Sequence, residues 1–164
     1  TEDSDGAVAH LNIEADGHVE FDNCAVGFDV LTAVFADSNV ISEGNPSTDI
    51  DFRLGNKFDL ELDLPIVDGR NINFIFPATS GNFLLVLGQD ATGGRTVHAN
   101  SWKAYASDAS LCDNLLFANG TDGVIRWAGG SAPTLTTTAD KADIISFYWN
   151  ADAQTCFAVV SQDF

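Results

Sequence analysis

The stretch Lys57-Phe58-Asp59-Leu60-Glu61-Leu62-Asp63-Leu64 decides the fold class of this protein. Apolar and charged side chains alternate along it, so the apolar set faces one way and the carboxylates face the other. This period of two is typical of a β-strand with one buried face. We expect Asp59, Glu61 and Asp63 to lie on a solvated face, because a glycosidase needs its carboxylates across a cleft, one of them in a dry pocket.

The same period extends along the chain on both sides of this stretch. Residues 49–54 and 71–77 also alternate, and residues 83–87 are continuously apolar, as expected of a central strand covered on both faces. Two further segments, 142–149 and 155–161, are rich in β-branched and aromatic residues. The sequence therefore predicts a protein built mainly of strands.

Turn-forming residues lie between these segments. Gly55-Asn56 predicts a tight hairpin between the strands on either side of it, and Ala15-Asp16-Gly17 predicts another near the N-terminus. Residues 150–153 predict a third hairpin loop. The stretch 24–35 fits either a strand pair or a short helix, and we favour strand.

The fold class that follows is a single all-β domain over residues 1–164, an antiparallel β-sandwich of the jelly-roll kind. Short strands separated by regular turns are typical of two sheets packed face to face. Residues of about 100–123 break the pattern, since they are rich in Ala, Ser and Asp. We predict that they form one long inserted loop, and loops of that length are commonly functional.

The charge of the chain excludes two classes of partner. It has 24 acidic against 7 basic residues, a formal net charge of −17 at pH 7. Nucleic acids and anionic membranes attract clustered Lys and Arg, whereas the basic residues here are scattered among carboxylates. No apolar run approaches the roughly 20 residues of a membrane span. We therefore predict neither nucleic-acid binding nor membrane insertion.

The sequence offers little reactive chemistry. Cys24, Cys112 and Cys156 form an odd set, which favours thiols made in a reducing cytoplasm, although a Cys112–Cys156 bridge stays open. The three histidines lack the spacing of a zinc site, and there is no nucleophile motif or phosphate-binding loop. We predict no metal, no cofactor and no enzyme activity.

Four segments carry a resemblance to a known family. They are GQDATGGRTV at 88–97, IRWAGGSAPTL at 125–135, KADIISFY at 141–148 and SQDF at 161–164. In this order they resemble β-rich modules of tailed-bacteriophage structural proteins, which occur in tail fibres, head fibres and capsid-decorating proteins. The resemblance spans residues from about 50 to 164. It departs from the family pattern at 100–123, where the family has almost no residues between the first segment and the Trp-x-Gly-Gly segment.

The resemblance implies a non-enzymatic virion protein that is often a trimer. It would be made in the cytoplasm of a host bacterium and lie on the outer surface of the particle, with itself, the major capsid protein or other virion proteins as partners. From the residues alone, Gly93-Gly94 and Gly129-Gly130, followed by Pro133, predict turns that make the fold.

Two functions remain open at this point. The first is a capsid cement or decoration protein that stabilises the head from outside. The second is a receptor-binding tip of a tail or head fibre that contacts host surface glycan. We expect self-association or capsid contact to use the C-terminal aromatics Trp127, Tyr148, Trp149, Phe157 and Phe164. We expect a receptor or partner to contact the inserted loop through Trp102, Tyr105, Asp108, Asp113 and Asn114.

Overall fold

The structure is a computed structural model that describes residues 47–116 and 122–164, together with the backbone of three short strands in the first 41 residues. Within these residues no helix is long and apolar enough to cross a membrane. The stretch 24–35, for which we favoured strand, lies outside the described residues. The same holds for Cys24.

The chain divides into two compact units, Thr1–Thr32 and Ala33–Phe164. In the first unit, β1 (Leu11–Ile13) pairs antiparallel with β2 (Val19–Phe21), which confirms the hairpin predicted around Ala15-Asp16-Gly17. The single domain expected over 1–164 stays a prediction.

The second unit contains nine described strands in two sheets. In chain order they are β3 (Asn39–Ile41), β4 (Ser47–Asp51), β5 (Lys57–Leu62), β6 (Asn71–Ile75), β7 (Gly81–Gln89), β8 (Trp102–Tyr105), β9 (Arg126–Trp127), β10 (Ala142–Asn150) and β11 (Thr155–Ser161). A short 3-10 turn, Ala99–Ser101, precedes β8. One sheet has the order β4-β6-β8 and the other has the order β3-β5-β7-β10-β11-β9.

The path from β3 to β8 alternates between the two sheets, so each turn of the chain adds one strand to each of them. All neighbours formed in this way are parallel: β3 with β5, β5 with β7, β4 with β6, and β6 with β8. A further parallel bridge joins Ile66 to Val97 where the chain passes from one sheet to the other. This winding is a β-solenoid arrangement.

The antiparallel sandwich or jelly roll expected from the sequence is therefore wrong, while the all-β class is confirmed. The hairpin expected at Gly55-Asn56 is wrong for the same reason, because β4 and β5 belong to different sheets. Alternation of apolar and polar residues fixes which side chains are buried, and it is the same for parallel and antiparallel neighbours. The direction of pairing is set by the connections.

The last two long strands, β10 and β11, extend the six-stranded sheet by antiparallel pairing. β10 pairs with β7 on one side and with β11 on the other, and Asn150 lies opposite Thr155, which confirms the hairpin loop at 150–153. The short strand β9 then joins β11 in parallel. β7 is central, as expected, but Leu84 and Val86 are only half-buried, so it is fully covered on one face rather than two.

The core lies between the two sheets and is rich in aromatic rings. Phe74 of β6 meets Phe147 of β10 with ring centroids 4.8 Å apart, and Phe52 meets Phe83 at the same distance. The residues expected to face inward on β5 (Phe58, Leu60 and Leu62) are buried, which confirms that part of the pattern. Aromatic pairs of this kind contribute about 0.5–1.5 kcal/mol each beyond the area that they bury.

The inserted loop expected at about 100–123 is wrong for its first residues, whereas no strand is assigned to residues 106–116 and 122–125. Its first part is β8, the third strand of the smaller sheet, and Trp102 and Ala104 belong to the core. The backbone NH of Ala104 donates to the carbonyl of Gly123, and that of Cys112 donates to the carbonyl of Ala104. The polar composition led to the wrong prediction, because a short buried strand can contribute few apolar side chains to the core when its neighbouring strand contributes large ones. Residues 117–121 lie outside the described part.

Candidate functional site: the outer face of the larger sheet

The segments that carry the phage resemblance meet at one corner of the fold. In the first segment, Asp90 accepts hydrogen bonds from the backbone NH of Thr92 and Gly93 and from the Arg95 guanidinium, with an Arg95 Nη2 to Asp90 Oδ2 distance of 2.5 Å. The hydrogen bond from Arg95 lowers the pKa of Asp90. The buried Gln89 side chain bonds both the NH and the carbonyl of Arg95. These contacts fix the turn.

The turn at Gly93-Gly94 then packs on the segment before β10. Both glycines have positive φ, which confirms the turn, and the NH of Gly94 donates to the carbonyl of Thr137. A Cβ on Gly93 would lie 2.6 Å from the backbone nitrogen of Ala139, so only glycine fits there. Gly129 and Gly130 also have positive φ, which confirms the second predicted turn.

Asp143 joins the remaining segments at this corner. Its carboxylate is buried and accepts hydrogen bonds from the backbone NH of Thr136 at 2.7 Å and of Asp163 at 3.2 Å. The backbones of Ala142 and Phe164 also exchange two hydrogen bonds. These contacts link the segments at 88–97, 141–148 and 161–164 with residues 136–139, and they have a structural role.

The outer face of the larger sheet exposes two large apolar side chains, Tyr148 and Val159. The outward residues of β7, β10 and β11 lie in register, because Tyr148 faces Asn82 on one side and Phe157 on the other, while Ser146 faces Leu84 and Val159. A groove of about 510 Å³ opens here, and Arg126, Trp127, Tyr148, Phe157 and Val159 are among its lining residues.

Three of the five predicted contact aromatics line this groove. Tyr148 is 46% exposed, and its ring lies nearly parallel to that of Phe157, with centroids 6.4 Å apart and an angle of 29°. Trp127 is half-buried, because its ring packs edge-on against Trp102 at 5.2 Å. The structure thus brings Trp127, Tyr148 and Phe157 together.

The other two predicted contact aromatics lie elsewhere. Trp149 points inward, is 1% exposed, stacks on Phe76 and donates its indole NH to the carbonyl of Pro77, so its assignment to a surface is wrong. In β10 the side chains alternate, and Trp149 falls on the opposite face from its neighbour Tyr148. Phe164 is exposed but does not line the groove.

The residues predicted for a receptor loop do not form one surface. Trp102 is a core residue stacked on Phe74, and Asn114 is fully buried. Asp108 is exposed but accepts hydrogen bonds from Ser110, as an acidic residue does in a tight turn. Tyr105 is half-buried, and Asp113 is exposed beside the loop between β10 and β11. Trp102 and Asn114 are therefore structural residues of the fold.

Cys112 and Cys156 are free thiols, and both are fully buried. Burial raises the pKa of each thiol. Neither is exposed to act as a nucleophile, since reactive cysteines have lowered pKa values and are accessible. The bridge between them that the sequence left open is not formed.

The titratable chemistry of the groove is limited. Its lining residues include Tyr148 and Arg126 but no Asp, Glu, His or Cys. Among residues 47–116 and 122–164, no group of three or more His, Cys, Asp or Glu side chains is placed to hold a metal ion.

Sequence reasoning missed several residues of this face: Asn82, Leu84, Arg126, Ser146 and Val159. Leu84 belongs to the segment 83–87, which was predicted to be covered on both faces, and Asn82 lies just before that segment. Ser146 and Val159 belong to strands whose neighbours beyond their predicted hairpin were unknown. The available signal was the outward position of each residue in a strand with period two. Only the strand order shows that these positions are neighbours.

Comparison of the chain with protein-family models, with curated proteins and with solved structures gave no significant match. The fold and the groove define the class on their own. The second unit is an all-β fold with two sheets wound as a β-solenoid and a largely apolar groove on the outer face of the larger sheet.

Proposed function

We propose that the protein is a non-enzymatic structural protein of a bacteriophage particle, a decoration protein that stabilises the capsid from outside. The observation that carries the proposal is the outer face of β7, β10 and β11. An apolar face in a strongly acidic chain is typical of a protein that assembles with others. The resemblance of the segments at 88–97, 125–135, 141–148 and 161–164 supplies the phage context.

The charge of the chain supports a place on a crowded surface. Many copies of a decoration protein lie close together on a shell, and like charge keeps the free protein soluble at high density. The buried thiols agree with synthesis in the reducing cytoplasm of a host bacterium. The major capsid protein is the partner that this function requires.

The test is a comparison of particles with and without this protein. Particles that lack it should release DNA at a lower temperature and after a milder osmotic shock than complete particles. Adding the purified protein back should restore the resistance, whereas an unrelated acidic protein of similar size should not. Equal resistance of both kinds of particle would contradict the proposal.

A second candidate, a receptor-binding tip, is favoured by one specific observation. The nearly parallel rings of Tyr148 and Phe157 lie beside Asn82 and Arg126 in the groove, and aromatic faces flanked by hydrogen-bonding groups suit a sugar ring. A tip must bind host cells directly, and a decoration protein need not. Binding of the labelled purified protein to host cells, reduced by Phe157→Ala, would favour the tip.

A further inference from the structure

We infer that the groove of the larger sheet is the central part of a longer cleft that binds a linear, negatively charged polysaccharide. The inference rests on the second candidate function, the receptor-binding tip, since it names the class of ligand that the tip takes. It is independent of the capsid-decoration function.

The groove continues into two smaller hollows on the same face of the sheet. A hollow of about 370 Å³ shares Asn82 and Ser146 with the groove, and one of about 250 Å³ shares Trp127 and Val159 with it. Together the three form one cleft, which runs from the start of β5 across β7, β10 and β11 to β9. Neighbouring strands lie about 4.8 Å apart, so a cleft across five strands is about 20 Å long. This length suits a linear polymer better than a single small molecule.

The charge of the cleft is opposite to the charge of the chain. Among the described residues that line its three parts, none is Asp or Glu, although the chain has 24 acidic residues. The charged residues that do line it are Lys57 and Arg126, and both are basic. The outward carboxylates of β5, Asp59 and Glu61, lie further along that strand and do not line the cleft.

This distribution of charge favours an anionic ligand in the cleft. Opposite charges attract at contact distance, whereas the acidic surface elsewhere repels an anion, so the cleft is the place where an anion can bind. Charges more than about 8 Å away are largely screened at physiological ionic strength, so the local basic residues outweigh the distant carboxylates. The Arg126 guanidinium can hold a carboxylate through two parallel hydrogen bonds.

The middle of the cleft has side chains that suit sugar rings. Tyr148 is 46% exposed, and its ring lies at 29° to that of Phe157, so the two rings offer neighbouring flat apolar surfaces. Asn82 and Ser146 lie beside them and supply an amide and a hydroxyl group, which can both donate to and accept from sugar hydroxyls.

Two other linear polymers suit the cleft less well. An extended peptide usually binds by adding a strand at a sheet edge, and β7, β10 and β11 beneath the cleft each have a neighbouring strand on both sides. A single-stranded nucleic acid carries a phosphate on every nucleotide, and two basic residues do not neutralise that charge. A polysaccharide with a carboxylate on every second sugar carries fewer charges.

The experiment measures binding of the purified full chain to an array of linear carboxylated polysaccharides. Each polysaccharide is paired with its neutral methyl ester, and single-stranded oligo(dT) and poly-glutamate are included as other anionic polymers. The chain should bind at least one carboxylated polysaccharide, and it should bind the methyl ester about tenfold more weakly. No binding to any polysaccharide, equal binding to the ester, or tighter binding to oligo(dT) or poly-glutamate would overturn the inference.

Two substitutions of the same exposed residue test whether the cleft is the site. Ser146→Asp places a carboxylate in the cleft and should weaken binding of the tightest polysaccharide about tenfold or more. Ser146→Asn is the matched control, because it adds a neutral side chain of the same size and should bind more tightly than Ser146→Asp. Equal affinities of the two variants would contradict a site in this cleft.

Arg126→Gln tests the basic residue at the centre of the cleft. The dissociation constant should rise about tenfold, because the paired hydrogen bonds to the carboxylate are lost. Arg70→Gln removes the same charge from another half-buried arginine that does not line the cleft, and it should bind as the wild type does. Thermal unfolding of each variant verifies that the fold is intact. Equal effects of the two arginine substitutions would show that only the net charge matters.

The outcomes separate this inference from the receptor-binding function. If the protein binds host cells and no carboxylated polysaccharide, the inference fails and the receptor-binding function stands. If it binds the polysaccharide in the cleft and does not bind host cells, the cleft stands and the receptor-binding function fails.

Discussion

The outer faces of the two sheets differ sharply, although both belong to the same solenoid. On the smaller sheet the outward side chains are mainly polar or charged: Asn73 donates to Asp49 at 2.7 Å, and Arg53 pairs with Asp51 at 2.7 Å. On the larger sheet the outward side chains of β7, β10 and β11 carry no charge. The first face pairs several of its polar side chains with one another. The second exposes apolar surface that a partner would cover.

The difference shows that one regular fold can carry a polar outer face on one sheet and a largely apolar outer face on the other. Strands of both sheets present every second residue outward, so the geometry of the two faces is similar. Composition alone makes one face polar and the other largely apolar. Because both faces lie on the same core, changes in the core should disturb them together, while changes at the surface should affect one face alone.

The largest expected effect comes from the shared core. Phe74→Ala removes a ring that contacts Phe147 across the two sheets, and it should lower the free energy of unfolding by about 3–5 kcal/mol. Urea unfolding followed by tryptophan fluorescence measures this. Leu54→Ala is the control, since Leu54 is exposed and its loss should cost less than about 0.5 kcal/mol. Similar losses in the two variants would show that the sheets do not share the core described.

An intermediate effect is expected at the corner where the phage-like segments meet. Asp143→Asn replaces one acceptor oxygen by an NH₂ group, so one of the backbone NH groups of Thr136 and Asp163 loses its partner. The free energy of unfolding should fall by about 1–3 kcal/mol. Asp140→Asn is the matched control, because Asp140 is exposed. The corner supports β10, so the face should weaken with the fold and not independently of it.

The smallest expected effect is a loss of stability at acid pH, which comes from carboxylates that are paired with arginine. A hydrogen bond from Arg53 lowers the pKa of Asp51 on the smaller sheet, and Arg95 does the same for Asp90. A lowered pKa stabilises the fold above the carboxyl's ordinary pKa of about 3.9 and loses that contribution as the pH falls through the folded value. The fold should therefore weaken below about pH 4.

Arg53→Gln measures the share of that acid sensitivity that belongs to the smaller sheet. Unfolding of the variant should depend less on pH between about pH 4 and pH 2 than unfolding of the wild type. Binding at the outer face of the larger sheet should not change on this substitution. A variant that kept the full acid dependence would show that the Asp51–Arg53 pair does not contribute.

Several parts of the structure were predictable from the sequence. The alternation in Lys57–Leu62 identified its buried residues, and the turn residues at 150–153 identified the hairpin of β10 and β11. Two of the failures have different causes. Gly55-Asn56 was interpreted as a hairpin because a linear pattern does not state where the chain goes after a turn. Tyr148 and Trp149 were placed on one surface although adjacent residues of a strand point to opposite faces, so the period of two could have separated them.

The candidate site was predictable only in part. Aromatic residues in the C-terminal third were expected at a contact, and Trp127, Tyr148 and Phe157 do line one groove. The loop expected around Trp102 became a strand, because the backbone of β6 offered it a parallel partner and Phe74 a ring to stack on. The local composition does not show which distant strand will pair with a segment.

The sequence by itself determined that the protein is all-β, that it is strongly acidic and which side chains of β5 are buried. These properties depend on neighbours in the chain and on the sum of charges, so they can be read locally. The tertiary structure alone decided that the strands wind in parallel between two sheets and that Asn82, Ser146 and Val159 come together on one face. The order of the strands depends on which distant strands pair, and the period of two is compatible with every such order.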